Sequence, residues 1–254
     1  MYRQIESYIV DNFGEKGNFR FVIAPDDTPY ACTCATCTAL GNTEKNATPA
    51  VTELILRLSQ RFPKHTFFTT SYLTTQQVTD KQLPPNVGVI VSAIDYPPRR
   101  TDGKDEQDKK FAEQLDNWKK VTNNIYIWDY INNFDDYLTP MPILKIARQR
   151  LQFFKQHGAS GIFFNGSGYS YSSFDEMRTF VLSALLINPE LSVDNLTASF
   201  FNQEYPAAKK WLYDYYTDLE NGTQSGKRLG IYAGIRESEK AYLTPEKFIK
   251  FYDE

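Results

Sequence analysis

This sequence has few histidines and lacks a specific phosphate-binding glycine motif. Only His65 and His157 occur among 254 residues, and each lies far along the chain from any plausible catalytic partner. A Ser-His-Asp triad therefore has little to build on. The glycine-containing stretch NGSG at residues 165–168 follows a predicted strand, but it is too short to indicate a phosphate loop. We predict no cofactor.

Basic charge and long apolar runs are also missing. The formal net charge is -3, so the sequence offers no basic face that could release counterions from nucleic acid. No apolar run approaches the roughly 20 residues of a membrane span. Residues 1–13 form a predicted amphipathic helix and lack the basic start and apolar middle of a signal peptide. We therefore predict no nucleic-acid partner, no membrane span and no export signal within these residues.

Aromatic residues, in contrast, are abundant. They make up 15% of the chain, with 17 Tyr and 18 Phe. Such rings usually fill cores, but pyranose sugars also present apolar faces that stack on aromatic side chains. The composition is therefore compatible with an oligosaccharide or polysaccharide partner.

Short apolar stretches alternate with segments of helical periodicity. The predicted strands cover residues 18–25, 65–72, 86–94, 124–130 and 161–167, and the predicted helices that follow cover residues 48–62, 104–121, 143–158 and 172–188. This alternation predicts an α/β fold with a parallel sheet.

The pattern changes at residue 191. Residues 194–220 and 244–252 have helical patterns, and no further strand is predicted. We therefore predict a partial (β/α) barrel over residues 1–190 and a helical carboxyl-terminal subdomain over residues 191–254. A closed barrel of this type needs eight strands. Either the sheet is open, or the chain is the carboxyl-terminal part of a TIM barrel whose first strands lie upstream.

Acidic and aromatic residues gather where the predicted strands end, which is where parallel α/β architectures place their chemistry. These residues are Asp26, Asp27, Tyr72, Asp95, Tyr96, Asp129, Tyr130 and Asn165. Hydrolysis of a glycosidic bond needs two carboxyl groups. Asp27 and Asp129 are the candidate catalytic pair, with Asp26 and Asp95 as alternatives. Aspartate is also a common strand-ending and helix-capping residue, so each has a structural alternative.

The fourth predicted strand ends in a cluster of polar and aromatic side chains. Trp128, Asp129 and Tyr130 are followed by Asn133, which adds an amide to the same segment. Trp128 either stacks on a sugar or points into the core, whereas Tyr130 and Asn133 are candidates for hydrogen bonds to sugar hydroxyls. The candidate substrate-binding residues are Asp26, Tyr72, Asp95, Tyr96, Trp128, Tyr130, Asn133 and Asn165.

The three cysteines lie together in the loop after the first predicted strand. Cys32, Cys34 and Cys37 form the sequence CTCATC. Zinc normally has four ligands, so a metal site would need His65, Asp27 or an outside group as the fourth. A disulfide that leaves one thiol over and simple packing of small residues are the alternatives. We assign no metal from the sequence.

Four segments together resemble a known family. They are PDDTPYACTCATC, NIYIWDYINNFDDYLTPMPIL, HGASGIFFNGS and FDEMRTFVLSALLINPELSVDNL, in that order. They resemble the bacterial domain of unknown function 4838, whose members are large exported proteins similar to family 20 hexosaminidases and family 67 alpha-glucuronidases. The resemblance implies a barrel related to glycoside hydrolases, further strands upstream and an extracytoplasmic location. It matches Asp27, the three cysteines and the Trp-Asp-Tyr segment to family motifs.

Two segments depart from the family pattern. The family's fifth strand commonly ends in Phe-Glu-Gln-Gly, whereas Phe164 stands here where the acid is expected. The usual Trp-Asp-Pro after the long helix is Ile187-Asn188-Pro189. Loss of a general acid or base typically lowers the rate by about 10²–10⁴. The sequence thus leaves three functions open, namely a glycoside hydrolase, a non-catalytic carbohydrate-binding relative, and a structural module with a cysteine-rich loop.

Overall fold

The strands form one parallel sheet. The computed structural model describes residues 1–100, 103–166, 172–223 and 226–252. The strands are β1 (Arg20–Val22), β2 (Thr66–Ser71), β3 (Val87–Ser92), β4 (Ile125–Tyr130) and β5 (Gly161–Asn165). Their order in the sheet is their order in the chain. The pairs β1–β2, β2–β3 and β3–β4 are parallel, with Phe21 opposite Phe67 and Val89 opposite Ile125.

Helices connect the strands and follow the last of them. They are α1 (Tyr2–Phe13), α2 (Ala35–Ala39), α3 (Thr48–Arg61), α4 (Glu106–Lys119), α5 (Leu144–Gln156), α6 (Asp175–Ile187), α7 (Val193–Glu204), α8 (Lys209–Gly222), α9 (Ile235–Ala241) and α10 (Pro245–Tyr252). Within the described ranges, none of these helices has the length and apolarity that crossing a bilayer requires.

The predicted α/β class with a parallel sheet is confirmed, and so is each of the five predicted strands. Sequential strand order is what a segment of a (β/α) barrel has. The predicted strand over residues 161–167 ends at Asn165, and residues 167–171 lie outside the described part.

The chain divides into two compact units, each built from several segments. Unit 1 contains Met1–Ser92, Lys110–Trp128 and His157–Phe163, and unit 2 contains Ala93–Lys109, Asp129–Gln156 and Phe164–Glu254. The proposed domain boundary between residues 190 and 191 stays a prediction.

The core of unit 1 lies between α3 and the sheet. Ile55 and Leu58 of α3 and Phe62, the residue directly after this helix, pack with Phe67 of β2, and all four are at most 1% exposed. Apolar residues at positions three and four apart give α3 one buried stripe. Trp118 of α4 is also fully buried and donates its indole N–H to Ser71 Oγ at 3.0 Å.

His65 is a structural residue of the same core. It is fully buried, Phe19 N donates to its Nδ1 at 3.3 Å, and its Nε2 lies 2.8 Å from Gly14 O. Both ring nitrogens are therefore engaged by backbone groups that tie the α1–β1 connection to the start of β2.

In unit 2, the buried carboxylate of Glu220 on α8 caps the first turn of α5. It accepts hydrogen bonds from Leu144 N at 2.8 Å and Lys145 N at 3.2 Å, and from Tyr216 Oη at 3.1 Å. The first amides of a helix have no partner within the helix, so this carboxylate satisfies them. Burial raises the pKa of Glu220 despite these hydrogen bonds, which lower it.

A pH dependence of stability follows from Glu220. The pKa is raised above 4.5 in the folded protein, so between the two pKa values the folded state holds a proton that the unfolded state has released. The contribution of Glu220 to stability is therefore lost as the pH rises through the folded pKa. We expect the unfolding free energy of the wild type, minus that of Glu220→Gln, to fall as the pH rises from 4.5 towards neutrality. Urea denaturation across this range measures it, and a difference that rises with pH would contradict it.

Candidate functional site

Two predicted site residues meet at the strand ends of unit 1. Tyr72 follows β2 with extended backbone and donates its hydroxyl proton to Asp27 Oδ1 at 3.1 Å. Asp27 is exposed, so its second oxygen is accessible to solvent. A carboxylate held by one hydrogen bond at an open strand end can accept further hydrogen bonds from a ligand hydroxyl.

Trp128 and Phe163 extend this arrangement across the sheet. The rings of Tyr72 and Trp128 are 6.2 Å apart between centroids, and those of Trp128 and Phe163 are 6.3 Å apart. Phe163 is 58% exposed although it belongs to a strand. We call Tyr72, Trp128 and Phe163 the aromatic row. Phe163 was not among the sequence-predicted site residues, because the family comparison drew attention to its neighbour Phe164.

A glycine permits the close packing beside the row. A Cβ on Gly161 of β5 would lie 2.4 Å from a ring carbon of Tyr126 on β4, so only glycine fits there. Tyr126 in turn packs edge-on against Phe68 of β2, with 5.0 Å between centroids. The aromatic surface therefore continues from the row into the body of the sheet.

Asp26 does not join the hydrogen bond between Tyr72 and Asp27. It lines a cavity of about 500 Å³ in unit 1. Cys32, Cys37, Tyr30 and Asn42 line the same cavity. Asp26 thus borders the cysteine loop, whereas Asp27 contacts Tyr72.

The three cysteines converge. Their sulfurs lie within 4.8 Å of one another, and all three are free thiols. The backbone N–H of Cys37, followed by the thiols of Cys32 and Cys37, lowers the pKa of Cys34. The hydrogen bond to Cys34 and partial burial raise the pKa of Cys37 to about 11. Cys34 is therefore the more acidic of these two thiols.

Asp129, the other predicted catalytic carboxylate, is buried in an ion pair in unit 2. It is 1% exposed, and Arg150 of α5 donates Nε to its Oδ2 at 2.8 Å and Nη2 to its Oδ1 at 2.5 Å. Tyr130 N also donates to Oδ1 at 2.8 Å. This bidentate geometry fixes the carboxylate against α5.

Tyr96 belongs to the same buried network. Its ring lies under Arg150, 4.4 Å from the guanidinium carbon, and its hydroxyl donates to Asp108. Burial, followed by the hydrogen bond to Asp108, raises the pKa of Tyr96 well above its usual range. Arg99 Nη2 donates to the same Asp108 oxygen at 2.8 Å. Asp95, one residue before Tyr96, is exposed.

The remaining predicted residues of unit 2 serve packing and connections. Tyr130 is buried with its ring 6.0 Å from that of Phe134. The Asn133 side chain accepts from Ala233 N at 3.0 Å and donates to Ala233 O, which ties the loop after β4 to the segment before α9. Asn165 accepts from Ile131 N at 3.1 Å through its backbone oxygen.

The predicted residues therefore fall into two groups. Asp27, Tyr72 and Trp128 come together in unit 1, and Asp129, Tyr96 and Arg150 come together in unit 2. A family model described as "Domain of unknown function (DUF4838)" matches residues 2–218. The chain belongs to this family. The DUF4838 match includes all five strands and most of α8, so both groups lie inside it. A comparison with curated proteins gave no match.

Proposed function

We propose that this DUF4838 chain is a carbohydrate-binding part of a (β/α) barrel, with the aromatic row as its sugar platform. The observation that carries the proposal is the exposed ring of Phe163 next to Trp128, which in turn lies next to Tyr72 and its hydrogen-bonded, accessible Asp27 carboxylate. A platform of rings with a carboxylate at its end combines an apolar surface for the sugar ring with an acceptor for its hydroxyls.

The exposure of the Phe163 ring indicates a ligand contact rather than a role in core packing. The rings of the core of unit 1, such as Phe62 and Phe67, are fully buried, whereas Phe163 is 58% exposed on the same sheet. A strand of a parallel sheet is ordinarily covered on both faces. We infer that the face carrying Phe163 is covered by sugar and by further strands of a TIM barrel upstream in the natural chain, in an exported protein.

Binding without turnover is favoured over hydrolysis. A glycosidase needs two carboxyl groups that reach the substrate. Asp129 is buried and both of its oxygens are bonded to Arg150, and Phe164 replaces the acid expected on β5. Asp27 is the candidate acid or nucleophile if turnover is found.

Glycan-array binding followed by isothermal titration with the best ligand tests the proposal. We expect Trp128→Ala and Phe163→Ala each to weaken binding by about tenfold, since an aromatic contact contributes about 0.5–1.5 kcal/mol beyond its buried area. Trp211→Ala is the matched control, because Trp211 is 37% exposed on α8 and stacks on Tyr215 outside the row.

The outcomes separate the candidate functions. If Trp128→Ala and Trp211→Ala lost the same glycan affinity, or if the wild type bound no glycan, the aromatic row would not be a sugar-binding surface. Turnover of aryl glycosides that disappears in Asp27→Asn would instead make the chain a glycoside hydrolase.

A further inference from the structure

The cysteine cluster has no part in the proposed sugar platform. Cys32, Cys34 and Cys37 are distributed over a loop and one helical turn, yet their sulfurs lie within 4.8 Å of one another. Cys32 and Cys34 are exposed and Cys37 is half-buried, so solvent ions can reach the sulfurs. Three convergent thiols at an accessible position are a donor set for a thiophilic metal ion.

The backbone around the cluster is held in place before any ligand binds. Cys34 and Cys37 are one helical turn apart, and Thr38 N donates to Cys34 O at 2.9 Å. Asn42 is buried and donates its backbone N–H to Cys37 O at 3.0 Å and its side-chain Nδ2 to Cys32 O at 3.1 Å. Asn42 Oδ1 accepts from Ala50 N at 3.0 Å, which anchors the loop to α3. These hydrogen bonds fix the backbone that carries the three sulfurs.

We propose that Cys32, Cys34 and Cys37 together bind one zinc ion. Zinc–sulfur bonds of about 2.3 Å in a tetrahedron place the sulfurs about 3.8 Å apart. The sulfurs lie within 4.8 Å of one another, and small rotations of the exposed Cys32 and Cys34 side chains bring them to that spacing. The C-x-C-x-x-C spacing and the helical turn at α2 thus serve to aim three sulfurs at one point.

The fourth ligand comes from solution. His65 cannot supply it, because both of its ring nitrogens are bonded to backbone groups inside the core. Cys32 and Cys37 line the cavity of about 500 Å³ together with Asp26, so an ion held by the sulfurs borders that cavity. Three protein ligands leave one exchangeable position on zinc. Water, or a small anion that enters the cavity, occupies it.

Zinc binding by the three cysteines needs no oxidant or reductant. Each thiol that binds zinc releases its proton to the solvent, and no electron is transferred. A disulfide between two of these cysteines would instead require a two-electron oxidant and would leave the third thiol unpaired.

Titration of the reduced, metal-free chain with Co²⁺ tests the site. We expect one ion per chain, with thiolate charge-transfer absorption and the visible bands of tetrahedral cobalt, and full displacement by one equivalent of Zn²⁺. Cys32→Ser, Cys34→Ser and Cys37→Ser should each weaken binding by more than about 100-fold, because loss of a direct ligand exceeds the 10–100-fold effect of an outer one. Thr33→Ser in the same loop is the control and should bind as the wild type does.

Three results would overturn the inference. Substoichiometric cobalt binding without tetrahedral bands would show that the sulfurs do not form a site. Wild-type affinity in any one cysteine variant would remove that residue from the ligand set. Thiol counts of one per chain before reduction, with no zinc in the purified protein, would establish a disulfide instead.

Discussion

Replacing Arg150 by methionine is expected to lower the free energy of unfolding by about 3–5 kcal/mol, because the Asp129 carboxylate would stay buried without its countercharge. The two side chains are 3% and 1% exposed. Methionine keeps an apolar stem of similar length, so the change removes the guanidinium charge together with its contacts to the rings of Tyr96 and Phe154. Urea denaturation at neutral pH measures the loss.

The matched control makes the same substitution in an exposed ion pair. Arg57 is 61% exposed and pairs with Glu53 one helical turn away on α3. Arg57→Met should change the stability by at most about 1 kcal/mol, as exposed pairs do. Asp129→Asn combined with Arg150→Met should recover part of the loss, because no charge then stays buried. A similar loss in Arg57→Met and Arg150→Met would contradict a special role for burial.

The ion pair also affects how activity data on Asp129 are read. Asp129→Asn leaves the Arg150 guanidinium buried beside a neutral amide, which destabilises the fold around the end of β4. Turnover lost in that variant would therefore not identify a catalytic group unless its stability were measured in parallel.

Phe67→Ala is expected to cost about 3–5 kcal/mol, the usual range for removal of a buried phenylalanine ring. Phe67 is fully buried between the sheet and α3. Its ring stacks on Phe21 with 5.6 Å between centroids, and that of Phe62 is 6.4 Å away. The cavity left in this cluster would be lined by rings that cannot easily close it.

Phe163→Ala makes the same chemical change on an exposed strand position. Because Phe163 is 58% exposed, its loss should alter stability by about 0.5 kcal/mol or less, while it weakens the predicted sugar binding. The two variants, compared by thermal denaturation and by glycan binding, separate a core ring from a platform ring. A stability loss in Phe163→Ala as large as that in Phe67→Ala would make Phe163 a packing residue.

Much of the fold could be predicted because its signals are local. The apolar run at residues 86–94 predicts a buried parallel strand, and β3 lies inside it. The helical pattern over residues 194–220 is divided between two helices, since α7 ends at Glu204 and α8 begins at Lys209. Pro206 has no amide hydrogen and disfavours helical backbone at Tyr205, so the sequence contained the signal for this break.

The role of Asp129 was harder to predict, although one local signal was present. Side chains of a strand alternate between its faces. Ile125 and Ile127 are fully buried, and Asp129 follows them on the same face, whereas Tyr126 and Trp128 are half-buried on the other. The period of two thus separates Asp129 from Trp128. Its partner Arg150 could not be predicted, because that contact depends on how α5 packs.

The interleaved chain path limits how this protein can be divided or recombined. Met1–Ser92 contains β1, β2 and β3, but unit 1 also requires Lys110–Trp128 and His157–Phe163. A fragment cut after Ser92 would lack Trp118, the fully buried indole that donates to Ser71 at the end of β2. Because each unit consists of three separate chain segments, a single genetic crossover cannot transfer either unit whole. Exchange between relatives at one breakpoint would therefore leave both units with mismatched cores.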